Sequence, residues 1–271
     1  MTGECSFQPG DWALVLGASS GFGAATSVEL ARWGLDIFGV HLDRRATLPN
    51  AQRVQEEIAS LGRRAIFFNV NAADEEKRKQ VLASIKQQVE EGGGQGMVRV
   101  LLHSLAFGSL GPYTGGEKSP PLSQQQIEMT LDVMANSLLY WVRDLVDMNL
   151  MREGGRVFAV TSAGGHKVWP AYGAVSAAKA ALESHVRQLA LELAPKGITV
   201  NAIRAGVTDT PALRKIPGWE EMLRRAQQFN PHGRAGTPED VARAIAVLAH
   251  PDTYWITGNV IGVDGGEDIT G

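Results

Sequence analysis

The stretch "WALVLGASSGFGAATSVELARWG", Trp12 to Gly34, joins a short apolar run to a helical pattern through a loop of glycines and serines. The run "WALVL" does not alternate with polar residues, so it belongs to a strand covered on both faces. A strand buried that way needs helices above and below its sheet, and its neighbours lie parallel to it. The same alternation recurs along the chain. Apolar runs stand at "DIFGVHL", "RAIFFNV", "MVRVLLHS", "GRVFAVTS", "GITVNAI" and "GNVIGVD". Helical patterns fall between them, among them "NAQRVQEEIASLG", Asp74 to Glu91 and Pro238 to Ala249. A long helix is predicted over Ser123 to Arg152, after a loop holding Pro112, Pro120 and Pro121. The pattern predicts an α/β fold: one Rossmann-type, doubly wound parallel sheet of about seven strands, helices on both faces. No linker, repeat or low-complexity segment divides the 271 residues, so residues 1–271 are read as a single domain.

The loop "GASSGFG" between the first strand and helix narrows the function. Gly17 permits a tight turn, and Gly21 and Gly23 let the helix start approach a pyrophosphate, whose charge the free amides favour. Ser19 and Ser20 add hydroxyl donors. Gly17, Ser19, Ser20, Gly21, Phe22 and Gly23 are therefore candidate dinucleotide-binding residues; the alternative is a tight turn without a ligand. The position that sorts NAD from NADP falls on His41, with Asp43, Arg44 and Arg45 following. Histidine cannot replace a carboxylate on the ribose, and two guanidinium groups suit a 2′-phosphate, so NADP(H) is favoured over NAD(H). Asp43 opposes this if it points inward. A solvated charge run is the other reading.

Composition excludes other classes. Hydrophobic residues make up 44% and charged residues 20%, enough for a large core. A net charge of -3 gives no reason to expect nucleic acid or an anionic membrane as partner. No apolar stretch approaches the roughly 20 residues of a membrane helix. The start "MTGECSFQPGDW" has no secretory pattern, and the single cysteine, Cys5, cannot form an internal disulfide. A cytoplasmic protein is expected. Scattered His, Asp and Glu residues lack ligand spacing, so no metal is expected.

The stretch "AYGAVSAAKAALES" holds Tyr172 and Lys179 in an alanine-rich helical pattern after the fifth strand. In isolation the pair reads as a half-buried aromatic and a solvated amine. With the glycine loop it resembles the short-chain dehydrogenase/reductase family. So do "NV" at Asn69 and Val70, "VTS" closing the fifth strand and "VNAIRAGVTDT" after the sixth. The resemblance spans nearly the whole chain. Departures from the commonest pattern point within the family. Tyr-x6-Lys replaces Tyr-x3-Lys, leaving Val175 at the usual tyrosine position. "HSLAFG" replaces "NNAG", Met134 stands near the usual asparagine with Asn136 two places off, and "AG" replaces "PG". These resemble the enoyl-acyl-carrier-protein reductase branch. "DTPALRKIPGWEEMLRRAQQFNPHGR" resembles its NADPH-using third type.

The resemblance implies roles. Tyr172 donates to the substrate oxygen. Lys179 binds the nicotinamide ribose, and its charge lowers the phenol pKa. Ser162 either orients substrate or only caps its strand. Asn69 and Val70 lie by the adenine, and Ser104, Leu105 and Ala106 along the ribose, with His103 structural. Gly206, Val207, Thr208 and Thr210 flank the nicotinamide and phosphates. The segment at about 208–238, with Trp219, Met222 and Phe229, is either a flap over an acyl chain or a core helical pair. Two positions on one helix face seven residues apart lie ~10.5 Å apart along the axis. Such a tyrosine suits an oxygen two carbons from the hydride acceptor, as in a 2-enoyl thioester. Reduction of an acyl thioester, carried by acyl-carrier protein or coenzyme A in fatty-acid synthesis, is the leading expectation, in a homotetramer or homodimer. A carbonyl or alcohol oxidoreductase of the same family is the alternative, and a silent dinucleotide sensor a third.

Overall fold

Trp12–Leu16 (β1) is buried at every residue, and its side chains divide between two apolar layers. Trp12, Leu14 and Leu16 enter one layer with Leu101, Val157 and Ala159; Ala13 and Val15 enter the other with Val100, Leu102 and Phe158. This period of two, apolar on both faces, is why the run does not alternate in sequence. The computed structural model describes residues 7–92, 96–115 and 120–270. Cys5 and residues 93–95 of the glycine-rich turn lie outside the described residues.

In chain order the elements are α1 (Gly21–Arg32), β2 (Asp36–His41), α2 (Leu48–Ser60), β3 (Ala65–Asn69), α3 (Glu75–Glu91) and β4 (Val98–His103). Then come α4 (Gln124–Leu131), α5 (Ser137–Asp147), β5 (Arg156–Ser162), α6 (Gly173–Leu193) and β6 (Thr199–Ala205). The chain closes with α7 (Trp219–Phe229), α8 (Pro238–Leu248) and β7 (Val260–Val263). The seven strands form one sheet in the order β3-β2-β1-β4-β5-β6-β7, and every pairing is parallel. Residues of α3, α5 and α6 fill one layer, and residues of α1, α2 and α8 the other. The expected doubly wound sheet is the observed one.

Two features correct the expected long helix over Ser123 to Arg152. A π-turn at Asp132–Asn136 separates α4 from α5. Just after it, the Ser137 hydroxyl donates to the Val133 carbonyl at 2.8 Å and lies 2.8 Å from His103 Nε2. The extra residue of such a turn re-aims the side chains around it. The helix then stops at Asp147. Asn149 takes φ 55, Leu150 N–H bonds to Leu145 O, and Asn149 N–H bonds to Val146 O. That is a Schellman closure built on an asparagine.

The other helix that matters for the site starts later than its sequence suggests. Ala171 sits at φ 63, Tyr172 is the N-cap, and the first helical residue is Gly173. Tyr172 O accepts the first helical bond, from Ser176 N–H at 2.9 Å. Tyr172 thus stands at the mouth of α6, not inside it.

Candidate active site

Strand order reverses direction between β1 and β4, the place where a doubly wound sheet opens a crevice beyond its strand ends. A cleft of about 1060 Å³ lies there, walled by the glycine loop, the ends of β2, β4, β5 and β6, α6 and the 208–238 segment. Gly17 turns with φ 93, and a side chain on it would overlap the Ser104 carbonyl. A side chain on Gly23 would overlap the Gly17 carbonyl, so these two glycines fold the loop onto β4 and onto itself. Gly17, Ser19, Ser20, Gly21 and Phe22 reach the cleft wall, whereas Gly23 lies buried beneath it. Gly23 therefore shapes the loop and does not face the cleft, a correction to its expected role. Ser20, the N-cap of α1, spends no side-chain bond on the helix.

The end of β2 departs further from expectation. His41 is buried, and its Nδ1 lies 2.8 Å from the Asp43 carboxylate. Asp43 faces the cleft. Burial alone would raise its pKa, but hydrogen bonding from Thr47, Ser19 and His41 wins and holds it below the usual carboxylate value. A fixed negative charge therefore stands beside the glycine loop. Arg44 is exposed on the same wall. Asn69 is absent from the wall: its side-chain oxygen accepts Asp43 N–H at 2.9 Å, and its amide donates to Asp43 O at 3.0 Å. The residue expected beside adenine instead clamps the backbone that aims Asp43. Val70 does reach the wall.

Tyr172, Ser162 and Lys179 all line the cleft. Ser162 Oγ is buried and bonds to no protein atom. It lies near enough to the Tyr172 phenol to favour its ionised form, but burial dominates and raises that phenol above its ordinary value. The expected lowering by Lys179 is not found, because the ammonium is turned aside: Lys179 Nζ donates to Val160 O at 2.7 Å. Burial pushes Lys179 down to about 8, with Glu183 opposing. Tyr172 is thus a neutral phenol at neutral pH, able to donate. Gly164 makes room for it, since a Cβ there would stand 2.5 Å from the tyrosine ring. Val175, at the usual tyrosine position, is buried on the cleft wall with Met134. Asn136 is not on that wall; its Oδ1 lies 3.2 Å from His185 Nε2. His103 is fully buried against Ser137, and burial followed by the nearby Lys179 charge lowers it to about 3. It stays neutral and structural.

Ser104, Leu105, Ala106, Gly206, Val207, Thr208 and Thr210 all reach the wall. The Thr210 methyl carbon would stand 3.5 Å from a Cβ on Gly21, so the loop after β6 meets the glycine loop across the cleft. In the 208–238 segment, Met222 and Phe229 line the cleft but Trp219 does not; the Arg214 guanidinium lies 5.7 Å from its ring centre. Phe229 is half exposed, which excludes a simple core role.

Sequence reasoning missed Glu267, Lys167 and Arg204, which also line this end of the cleft. Glu267 accepts Val207 N–H through both carboxylate oxygens, at 3.1 and 3.3 Å. No sequence signal marked it: an acid after a terminal "GG" belongs to no spacing rule. Among the described residues, no group of three or more His, Cys, Asp or Glu is placed to hold a metal, and no helix is long and apolar enough to cross a membrane.

A family model described as enoyl-(acyl carrier protein) reductase matches residues 17–267. An NADH-dependent enoyl-acyl-carrier-protein reductase of Aquifex aeolicus is 32% identical over 70% of this chain and 68% of its own. A cyclohexanol dehydrogenase of an Acinetobacter species is 30% identical over 93% of both chains. A short-chain dehydrogenase of Burkholderia cenocepacia, solved in complex with NADP, superposes with a TM-score of 0.81 at 27% identity, covering 96% of this chain and 98% of the other. The chain belongs to the short-chain dehydrogenase/reductase family. Within it, this protein is an oxidoreductase that uses a nicotinamide dinucleotide. The residues present fit that cofactor: a loop whose backbone packs too closely for side chains at Gly17 and Gly23, and a buried Ser162 hydroxyl with no protein partner.

Proposed function

We propose that this protein reduces the carbon–carbon double bond of a 2-enoyl thioester carried by acyl-carrier protein or coenzyme A. The observation that carries the reading is the spacing of polar groups along α6. One turn before Lys179 the wall is the aliphatic Val175, and the nearest phenol, Tyr172, stands at the helix mouth. The position that would protonate an oxygen next to the hydride acceptor is therefore apolar. The donor sits farther along, where a thioester oxygen two carbons away would lie. The glycine loop and Lys179 would hold the dinucleotide, which when bound would supply a hydride for the β-carbon. Tyr172 donates to the thioester oxygen as negative charge develops there, a contact strongest in the transition state. The enolate then takes a proton at the α-carbon, giving the saturated thioester. Lys179 fixes the ribose side of the cleft. Met222 and Phe229 offer the 208–238 segment an apolar face for the acyl chain and for excluding water.

For the cofactor, the inward Asp43 outweighs the arginines read from sequence. A carboxylate accepts a ribose 2′-hydroxyl and repels a 2′-phosphate, so we infer a preference for NAD(H) over NADP(H). The carbonyl alternative is favoured by one feature: Ser162 beside the Tyr172 phenol, a pair that one carbonyl oxygen could engage together. Purified protein assayed with crotonyl-CoA, acetoacetyl-CoA and cyclohexanone, each with NADH and NADPH, separates these readings. Turnover of crotonyl-CoA with NADH is expected. Turnover of the ketones alone would sink the enoyl reading, and a kcat/KM higher with NADPH would sink the cofactor reading.

A further inference from the structure

A tight turn delivers Tyr172 to the cleft. Tyr172 N–H donates to Trp169 O at 3.2 Å, closing a turn over Trp169, Pro170, Ala171 and Tyr172. Pro170 fixes φ at about −65° in the second position. Ala171 takes φ 63 in the third. This is the pattern of a type II turn, whose third position asks for glycine or asparagine. Alanine there stands in a conformation that its Cβ disfavours. Such strain persists where surrounding contacts over-determine it, and they lie on both sides of this turn. Gly111, in the loop after β4, donates its N–H to Ala171 O at 2.9 Å. Trp169 Nε1 donates to Pro217 O at 3.1 Å, and its ring would stand 3.5 Å from a Cβ on Gly218. The turn is therefore held by the β4 loop and by the 208–238 segment at once. Just beyond it, a Cβ on Gly173 would stand 2.7 Å from the Tyr113 ring, so the chain has no slack on that side either. Trp169 and Tyr172 line the cleft, and Ala171 does not.

We propose that Ala171 is a positioning residue for the reaction: its left-handed backbone, pinned by Gly111 and Trp169, sets Tyr172 at the mouth of α6 with its ring beside Gly164. With Ala171 in the right-handed region the turn would open or α6 would begin earlier, and the phenol would leave that place. Ala171 touches no reacting atom and acts only through Tyr172. The proposal rests on the reading of Tyr172 as the donor to the substrate oxygen.

The test measures kcat with crotonyl-CoA and the dissociation constant for NADH in Ala171→Asn, Ala171→Gly and Ala171→Val. Asparagine and glycine accept the left-handed region and valine resists it, so activity should follow that tolerance and not side-chain volume. We expect Asn and Gly to hold kcat within about twofold of the wild type. Val should lower it about 100-fold, the scale of a displaced catalytic group, with NADH affinity unchanged. Exposed Pro170 gives a milder second variant that keeps the fold: Pro170→Ala frees the turn's second position and should lower kcat roughly two- to fivefold. In a Tyr172→Phe background, Ala171→Val and Pro170→Ala should cost nothing further, whereas a purely structural defect would cost as much as before. Equal losses in Asn and Val, full activity in both Val and Pro170→Ala, a matching fall in NADH affinity, or a loss that persists without the phenol would each overturn the role of Ala171 and leave that of Tyr172 standing. Unchanged turnover in Tyr172→Phe alone would remove the donor reading, and this proposal with it.

Discussion

At the residue scale, the proposed chemistry rests on three side chains in three different states. Tyr172 is a neutral phenol, raised by burial, so it is a donor across the neutral range. Replacing it with phenylalanine removes one donor to a developing oxyanion. We expect kcat to fall by about 10²–10³-fold while the dissociation constant for NADH stays put; unchanged turnover in Tyr172→Phe would remove Tyr172 from the mechanism. Lys179 titrates near 8 because burial disfavours its charge. If its charge is needed on the ribose side, kcat/KM falls as pH rises through about 8, and a flat profile to pH 9.5 would contradict the role. The stability sign runs the other way. The folded pKa lies below the unfolded value of about 10.5, so the unfolded chain holds the extra proton between those values. The penalty is full below pH 8 and fades as pH rises toward 10.5. Lys179→Met should therefore be more stable by about 1–3 kcal/mol at pH 7, with the gain shrinking above pH 8 in urea denaturation. Asp43 is the third case: the letters "HLDRR" state its presence but not its direction. The Asn69 clamp on its backbone and side-chain contacts from Thr47, Ser19 and His41 turn it inward.

At the element scale, α3 is fixed to α5 by a buried ion pair. Arg78 is 2% exposed, its Nε donates to Asp144 at 2.7 Å, and its Nη1 has no partner. Asp144→Ala would leave a buried guanidinium without its counter-charge. A loss of about 3 kcal/mol is expected by chemical denaturation, and a loss below 0.5 kcal/mol would show that the pair is not structural. The strands were readable because a strand covered on both faces has little choice but to be a continuous apolar run. The helices were readable where Gly34 and Gly62 end them, at φ 103 and 73. What escaped were backbone choices made by tertiary contacts. The π-turn at Asp132–Asn136 lies beside a serine of α5 held by a buried histidine of β4, and the stop after Asp147 uses an asparagine in the left-handed region. Neither leaves a mark in hydrophobic periodicity. The delayed start of α6 has the same origin: Ala171 at φ 63 is a conformation alanine rarely takes, and the sequence read straight through it as helix.

At the scale of the whole molecule, the cleft joins pieces far apart in sequence. The glycine loop, the β4 end, α6 and the loop after β6 were all legible as walls of one cleft, because a doubly wound sheet gathers its strand ends at a switch point. The C-terminal turn was not, since its acid has meaning only once β7 has carried it back to Val207. The monomer also exposes large apolar side chains away from its core, with Trp255 86% and Leu191 71% exposed. We expect the protein to assemble as a homodimer or homotetramer and Trp255→Ser to shift it toward smaller species in sedimentation velocity; a wild-type protein that sediments as a monomer would refute this. Enoyl and carbonyl reduction differ in where the hydride lands relative to Tyr172. The direct measurement is one turnover with nicotinamide cofactor deuterated at the transferring position and crotonyl-CoA, followed by NMR of the product. Butyryl-CoA with deuterium on the β-carbon is expected. No saturated product from crotonyl-CoA, with deuterium appearing instead on the carbinol carbon of reduced acetoacetyl-CoA, would contradict it.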